Sequence, residues 1–168
     1  MAGHTVHTPD LYDGKIFRTL DEGVTHARRI GMTEVQQRGV WSADSLAANL
    51  CYIGFSLGVL PAQQLAQTRA GARGAVLLEA CLPLSQFGTS WPGAVPVQIH
   101  GMDADPFFAG EGDIDAARAL VKEAQQGELF LYPGDRHLFT DSSLPTYDKG
   151  AAVLVTERVL DFLAIKAN

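Results

Sequence analysis

Residues 52–58 read YIGFSLG. Ser56 stands midway between Gly54 and Gly58. The apolar run NLCYIGF (49–55) ends on it, and such a short, bounded run reads as a buried strand. LGVLPAQQLAQT (57–68) follows with helical patterning. Pro61 falls in its first turn or so, where a missing N–H is tolerated. A strand that passes straight into a helix through Gly-x-Ser-x-Gly predicts a sharp turn that exposes the serine. Gly54 and Gly58 are expected to remove side chains that would collide with that turn.

The alternation extends in both directions. Upstream, HTVHT (4–8) is rich in β-branched residues and predicts a short strand ended by Pro9. TLDEGVTHARRI (19–30) predicts a helix, with Thr19 and Asp21 as caps and Gly31 as a stop. TEVQQRGV (33–40) predicts a second helix. Downstream, GAVLLEAC (74–81), AVPVQIHG (94–101) and ELFLYPG (128–134) predict strands. DIDAARALVKEAQ (113–125) and AAVLVTERVLDFLAI (151–165) predict helices. Strands alternating with helices of a dozen residues imply an α/β fold, a mostly parallel sheet with helices on both faces. The 168 residues suit a single domain, 1–168.

Composition narrows the function classes. The chain is 46% hydrophobic and 19% charged, with a net charge of −6. Neither nucleic acid nor an anionic membrane surface is favoured, since both select basic patches. No apolar run reaches the roughly 20 residues of a membrane-spanning helix. The start, MAGHTVHTPD, lacks the layout of a signal peptide. Cys51 and Cys81 lie in apolar runs and read as buried free thiols in a reducing cytosol, so the protein is expected to be cytoplasmic.

In parallel sheets ligands gather at the carboxyl ends of the strands. Ser56 follows the strand at 49–55. Asp103 and Asp105 follow the strand at 94–101. His137 follows the last strand. A serine hydroxyl needs an imidazole to take its proton, and the imidazole needs a carboxylate to fix its tautomer. Ser56, His137 and an aspartate are the candidate catalytic set. Asp105 in ADPFF is preferred as the acid, with Asp103 expected to cap that turn. Glu79, near the end of the strand at 74–81, is a third candidate and a pocket carboxylate otherwise. The N–H of Leu57, at the start of the helix, points to where an oxyanion would form.

These residues, with PDLY (9–12), the elbow GFSLG (54–58), VPVQIHGMDADPFF (95–108), ELFLYPGDRHLF (128–139) and YDKGAAVLVTERVLDFL (147–163), resemble the dienelactone hydrolase family of the α/β-hydrolase fold. The resemblance runs over nearly the whole chain. It implies a serine hydrolase cleaving a carboxylic ester or lactone, with Ser56 as nucleophile, His137 as base and Asp105 as acid. It implies Leu57 as one oxyanion donor and no cofactor. Tyr12, Phe55, Phe107, Phe108, Leu138 and Phe139 are expected to line the substrate pocket. The founding enzymes carry cysteine at the elbow, where this chain has Ser56. They also carry an arginine four residues past the histidine, where this chain has Asp141. A neutral ester or lactone therefore fits better than an acidic lactone.

The resemblance also implies an N-terminally truncated fold. The chain begins where the family's fourth strand begins, and the preceding strand and its second oxyanion donor are not in it. Losing one such donor costs roughly 10² to 10³ in rate. Residues 4–8 are then expected to be displaced or loosely held, and the elbow to keep the family geometry. A second copy filling the gap would make a homo-oligomer. A catalytically impaired relative acting as a binding or scaffold protein is the alternative function.

The remaining candidates read as structural. His4 and His7 are spaced three apart, which on a strand turns them to opposite faces and disfavours a metal. His26 is expected on an exposed helix face and His100 under the Asp105 loop. Trp41 and Trp91 are expected to pack in core or loops.

Overall fold

The computed structural model describes residues 3–166. The chain divides into two compact units, Met1–Ala47 and Ala48–Asn168.

The first unit is helical. α1 (Leu20–Ile30) starts at Thr19, whose hydroxyl accepts the Glu22 N–H, and stops at Gly31, as the capping pattern predicts. α2 (Met32–Ser42) follows at once. Ahead of them Asp10 caps a turn by accepting the N–H groups of Tyr12 and Gly14. Arg38 closes the unit, reaching the Leu11 carbonyl, Asp13 and Glu34. The strand expected at 4–8 is absent: these residues are exposed and have no regular structure. β-branched residues favour a strand only where a neighbour supplies partners, and no described strand pairs with this segment. His26 corrects a second expectation. It is buried, with its ring against Tyr12 and Phe17.

The second unit is a four-stranded parallel sheet, order β1-β2-β3-β4, clad in helices. β1 (Cys51–Phe55) turns through a 3₁₀ segment, Ser56–Gly58, into α3 (Val59–Thr68). β2 is Gly74–Leu78, β3 is Val97–Met102, α4 is Asp113–Glu123, β4 is Gly127–Tyr132 and α5 is Lys149–Lys166. The central strands β2 and β3 are buried at every residue, while the edge strands β1 and β4 are only partly covered. This is the burial that continuous apolar runs such as AVLL encode.

Alternate strand residues serve opposite faces. Val76, Leu78, Met102 and Tyr132 pack with Val155 and Phe162 of α5. On the other face, α3 packs on β1 and β2, and α4 on β4 and β3. Two strand limits differ from expectation by three residues. β2 stops at Leu78 rather than Cys81 because Glu79 adopts left-handed backbone, φ 64°. β3 starts at Val97 rather than Ala94 because Pro96 has no N–H and Val95 closes a turn onto the Pro92 carbonyl. Among the described residues no helix is long and apolar enough to cross a membrane.

Candidate active site

The parallel sheet sends the carboxyl ends of all four strands to one edge. Ser56 leaves β1 there with φ 47°, a left-handed conformation that a serine rarely adopts. Gly54 permits this turn. A Cβ on it would lie 2.5 Å from the Gly58 carbonyl oxygen and 2.7 Å from the Val59 Cα. Gly58 does not share that role: a Cβ there would meet nothing within 4 Å, and its φ of −67° suits any residue. Leu57 is second in the 3₁₀ turn, so its N–H has no partner within that turn.

The turn after β3 presents Asp103 and Asp105, and their partners separate them. Asp103 is exposed and accepts the Gly134 N–H at 3.0 Å, so it pins the turn after β4. Asp105 is fully buried. Its Oδ1 accepts the Phe107 N–H at 2.9 Å, and its Oδ2 lies 2.7 Å from Nδ1 of His137. The other ring nitrogen of His137, Nε2, lies 2.8 Å from the Ser56 hydroxyl. His137 itself is 9% exposed. A hydroxyl, an imidazole and a carboxylate are thus joined in one hydrogen-bonded chain. Such a chain can move the serine proton to Nε2 while Nδ1 keeps its own proton and donates it as a hydrogen bond to Asp105.

The residues expected to wall a pocket are distributed differently. Phe107 lies against the His137 ring, centroids 4.6 Å apart, and is 46% exposed. Phe55 is 49% exposed at the end of β1. Leu138 is half-buried in left-handed backbone, φ 57°. Phe108 and Phe139 are fully buried and serve the interior. Phe108 packs over Gly101, where a Cβ would come within 2.4 Å of its ring, and Phe139 belongs to the core with Tyr132. Tyr12 lies in the first unit, edge-on to Phe17 and His26.

His100 is buried on β3 and hydrogen-bonds Tyr132 and Gln98; burial pushes its imidazole down to about 3. Burial pushes the Cys51 thiol up to about 12 and the Cys81 thiol upward as well, so neither offers a thiolate near neutral pH. Trp91 is buried and donates to the Val95 carbonyl, whereas Trp41 is exposed. Among the described residues no group of three or more His, Cys, Asp or Glu is gathered to hold a metal ion.

Glu79 is not hydrogen-bonded to any of the three. It is 1% exposed, and its Oε2 accepts the N–H of Leu138, the residue after His137, at 2.6 Å. Burial pushes its carboxyl up to about 7. Sequence reasoning missed this anchoring contact. The available signal was one acid in the otherwise apolar stretch AVLLEAC (75–81).

Comparison with known proteins bears on the fold and the family. The model of the dienelactone hydrolase family matches residues 1–166. No curated protein matches the chain. Among solved structures, the chain is similar to a provisionally assigned dienelactone hydrolase from Klebsiella pneumoniae subsp. pneumoniae MGH 78578. The two share 18% identity with a TM-score of 0.67, over 93% of this chain and 73% of that one. It is also similar to a dienelactone hydrolase-like promiscuous phosphotriesterase from metagenomic libraries. There the identity is 16% and the TM-score 0.66, over 94% of this chain and 72% of that one.

Proposed function

The chain belongs to the dienelactone hydrolase family, and from that premise we propose that it hydrolyses a carboxylic ester or lactone through Ser56, His137 and Asp105. The observation that carries the reading is the unbroken chain from Ser56 Oγ through His137 to Asp105, at 2.8 and 2.7 Å.

Ser56 Oγ attacks the ester carbonyl as its proton passes to His137 Nε2. The carbonyl oxygen takes the electron pair and becomes an oxyanion, which the Leu57 N–H stabilises. Asp105 accepts the Nδ1–H and stabilises the imidazolium. The intermediate collapses, the C–O bond to the alcohol breaks, and His137 returns the proton to the leaving oxygen. Water then attacks the acyl-serine with His137 taking its proton, the bond from the acyl carbon to Ser56 Oγ breaks, His137 returns the proton to Oγ, and the acid leaves.

The substrate is a neutral ester or lactone. Asp141 stands four residues past His137, and its carboxyl is held below the usual range by the hydroxyl and N–H of Ser143. That anion disfavours an acidic substrate.

The test is Ser56→Ala against a chromogenic short-chain ester. The rate is expected to fall by about 10⁶, the scale of losing a triad nucleophile. An undiminished rate overturns the mechanism. A folded wild-type protein with no ester hydrolysis would favour a binding or scaffold role.

A further inference from the structure

Glu79 occupies an unusual place for a carboxyl. Its N–H donates to the His100 carbonyl at 2.7 Å, one residue beyond the paired register of β2 and β3. Its left-handed backbone then turns the chain away, with no glycine to ease the turn. One carboxyl oxygen holds the Leu138 N–H, and the other, Oε1, is buried without a hydrogen-bond partner. Leu138 is left-handed as well, so two uncommon backbone conformations meet at this one bond. An amide oxygen would anchor the N–H without a charge. A buried polar atom with no partner is costly, so the orphaned oxygen calls for a role beyond anchoring.

What distinguishes a carboxylate from an amide here is its field on His137. Burial is the largest influence on the Glu79 carboxyl and pushes it up; the attraction of the His137 imidazole is the largest that pulls it down. That same Leu138 N–H and the N–H of Phe139 also favour the anion, and Asp105 opposes it. Asp113, at the start of α4, interacts with Asp105 and His137 and accepts the Cys81 N–H. The His100 ring is engaged by Tyr132 and Gln98.

We propose that Glu79 is a positioning residue for the base: it fixes the His137 loop through Leu138 and places a second negative charge by the imidazolium that forms when Ser56 loses its proton. This rests on the hydrolase reading above. Two carboxyls then act on one imidazole, Asp105 by direct contact and Glu79 through the loop and the field. Ester hydrolysis requires a neutral His137 and, for the full rate, an ionised Glu79. The acid limb of the pH profile therefore holds two ionisations.

The test is Glu79→Gln, which keeps the shape and an oxygen for Leu138. The His137 ring nitrogens are followed by ¹⁵N NMR titration, and kcat and KM for a chromogenic ester are followed against pH. Removing the anion is expected to shift the His137 titration downward. We expect kcat at mildly alkaline pH to fall about tenfold with little change in KM. The acid limb loses one ionisation. An unmoved His137 titration with the wild-type acid limb would overturn the proposal and leave Glu79 a loop anchor.

A second measurement covers a variant that fails to fold. In the wild-type protein the Glu79 carboxyl carbon is followed by ¹³C NMR. It is expected to show two steps, one coinciding with His137; a single step independent of His137 overturns the coupling. If the wild-type protein hydrolyses no ester, the hydrolase reading fails, and the two NMR titrations still decide whether Glu79 acts on His137.

Discussion

The turn after β3 and the turn after β2 each bring an acidic side chain to the same end of the sheet, and both are buried there. Their surroundings differ. Asp105 is engaged on both oxygens, by the Phe107 N–H and by His137. Glu79 is engaged on one, by the Leu138 N–H, and its other oxygen is orphaned. The first arrangement suits an orienting group, because nothing about it is left unpaired. The second suits a group whose protonation changes near neutral pH, because burial without full pairing disfavours the anion. Position at a strand end is not sufficient to assign a carboxyl its role; whether both of its oxygens are paired is the better guide.

The contrast is tested most severely at Asp105. Asp105→Asn is expected to lower kcat for ester hydrolysis by about 10⁴. The asparagine can turn its amide N–H toward Nδ1 and drive the imidazole proton to Nε2, where it faces Ser56. Steady-state kinetics with circular dichroism as a folding control would measure this. A loss no greater than that of Glu79→Gln would erase the distinction between the two turns.

Stability separates them in a different way. The Glu79 carboxyl is raised from 4.5 to about 7 in the folded protein. A raised group binds more protons folded than unfolded in that window. Its favourable contribution is complete below 4.5 and is lost as pH rises through about 7. Glu79→Gln is therefore expected to gain stability relative to wild type as pH rises, by about 3 kcal/mol at the alkaline plateau. Urea unfolding at acid and alkaline pH measures the difference. A gap independent of pH would show that Glu79 titrates alike in both states. Such a gain alongside a slower reaction would mark Glu79 as retained for activity at the expense of stability.

The smallest effect is expected at the outer side of the site. Phe107 covers one face of His137 and remains 46% exposed. Phe107→Ala is expected to raise KM about threefold and to leave kcat within about the same factor. A large fall in kcat would mean that the turn after β3 depends on the aromatic ring as well as on Asp105.

Much of the sheet was legible because burial leaves a direct mark. β2 and β3 are covered on both faces; β2 is a continuous apolar run, and β3 stays mostly apolar around the buried Gln98 and His100. The turn at Ser56 was legible through Gly54, whose missing side chain the geometry requires. Three features were not legible, for physical reasons. HTVHT has the composition of a strand, but a strand depends on partners, and composition does not supply them. The end of β2 lies at a left-handed glutamate, where no glycine or proline signals a turn. The role of Glu79 depends on a backbone N–H 59 residues away, and a backbone donor leaves no trace in residue type. Phe108 and Phe139 show the same limit. Adjacency to the acid and base suggested a pocket wall, yet both are fully buried, Phe108 over Gly101 and Phe139 against Tyr132.

The most direct measurement is to treat the folded protein with a fluorophosphonate and locate the adduct by peptide mass spectrometry. One phosphonyl group on Ser56, formed in wild type and lost in His137→Ala, is the predicted result. No adduct in folded wild-type protein, or one carried by a different residue, would contradict Ser56 as the activated nucleophile.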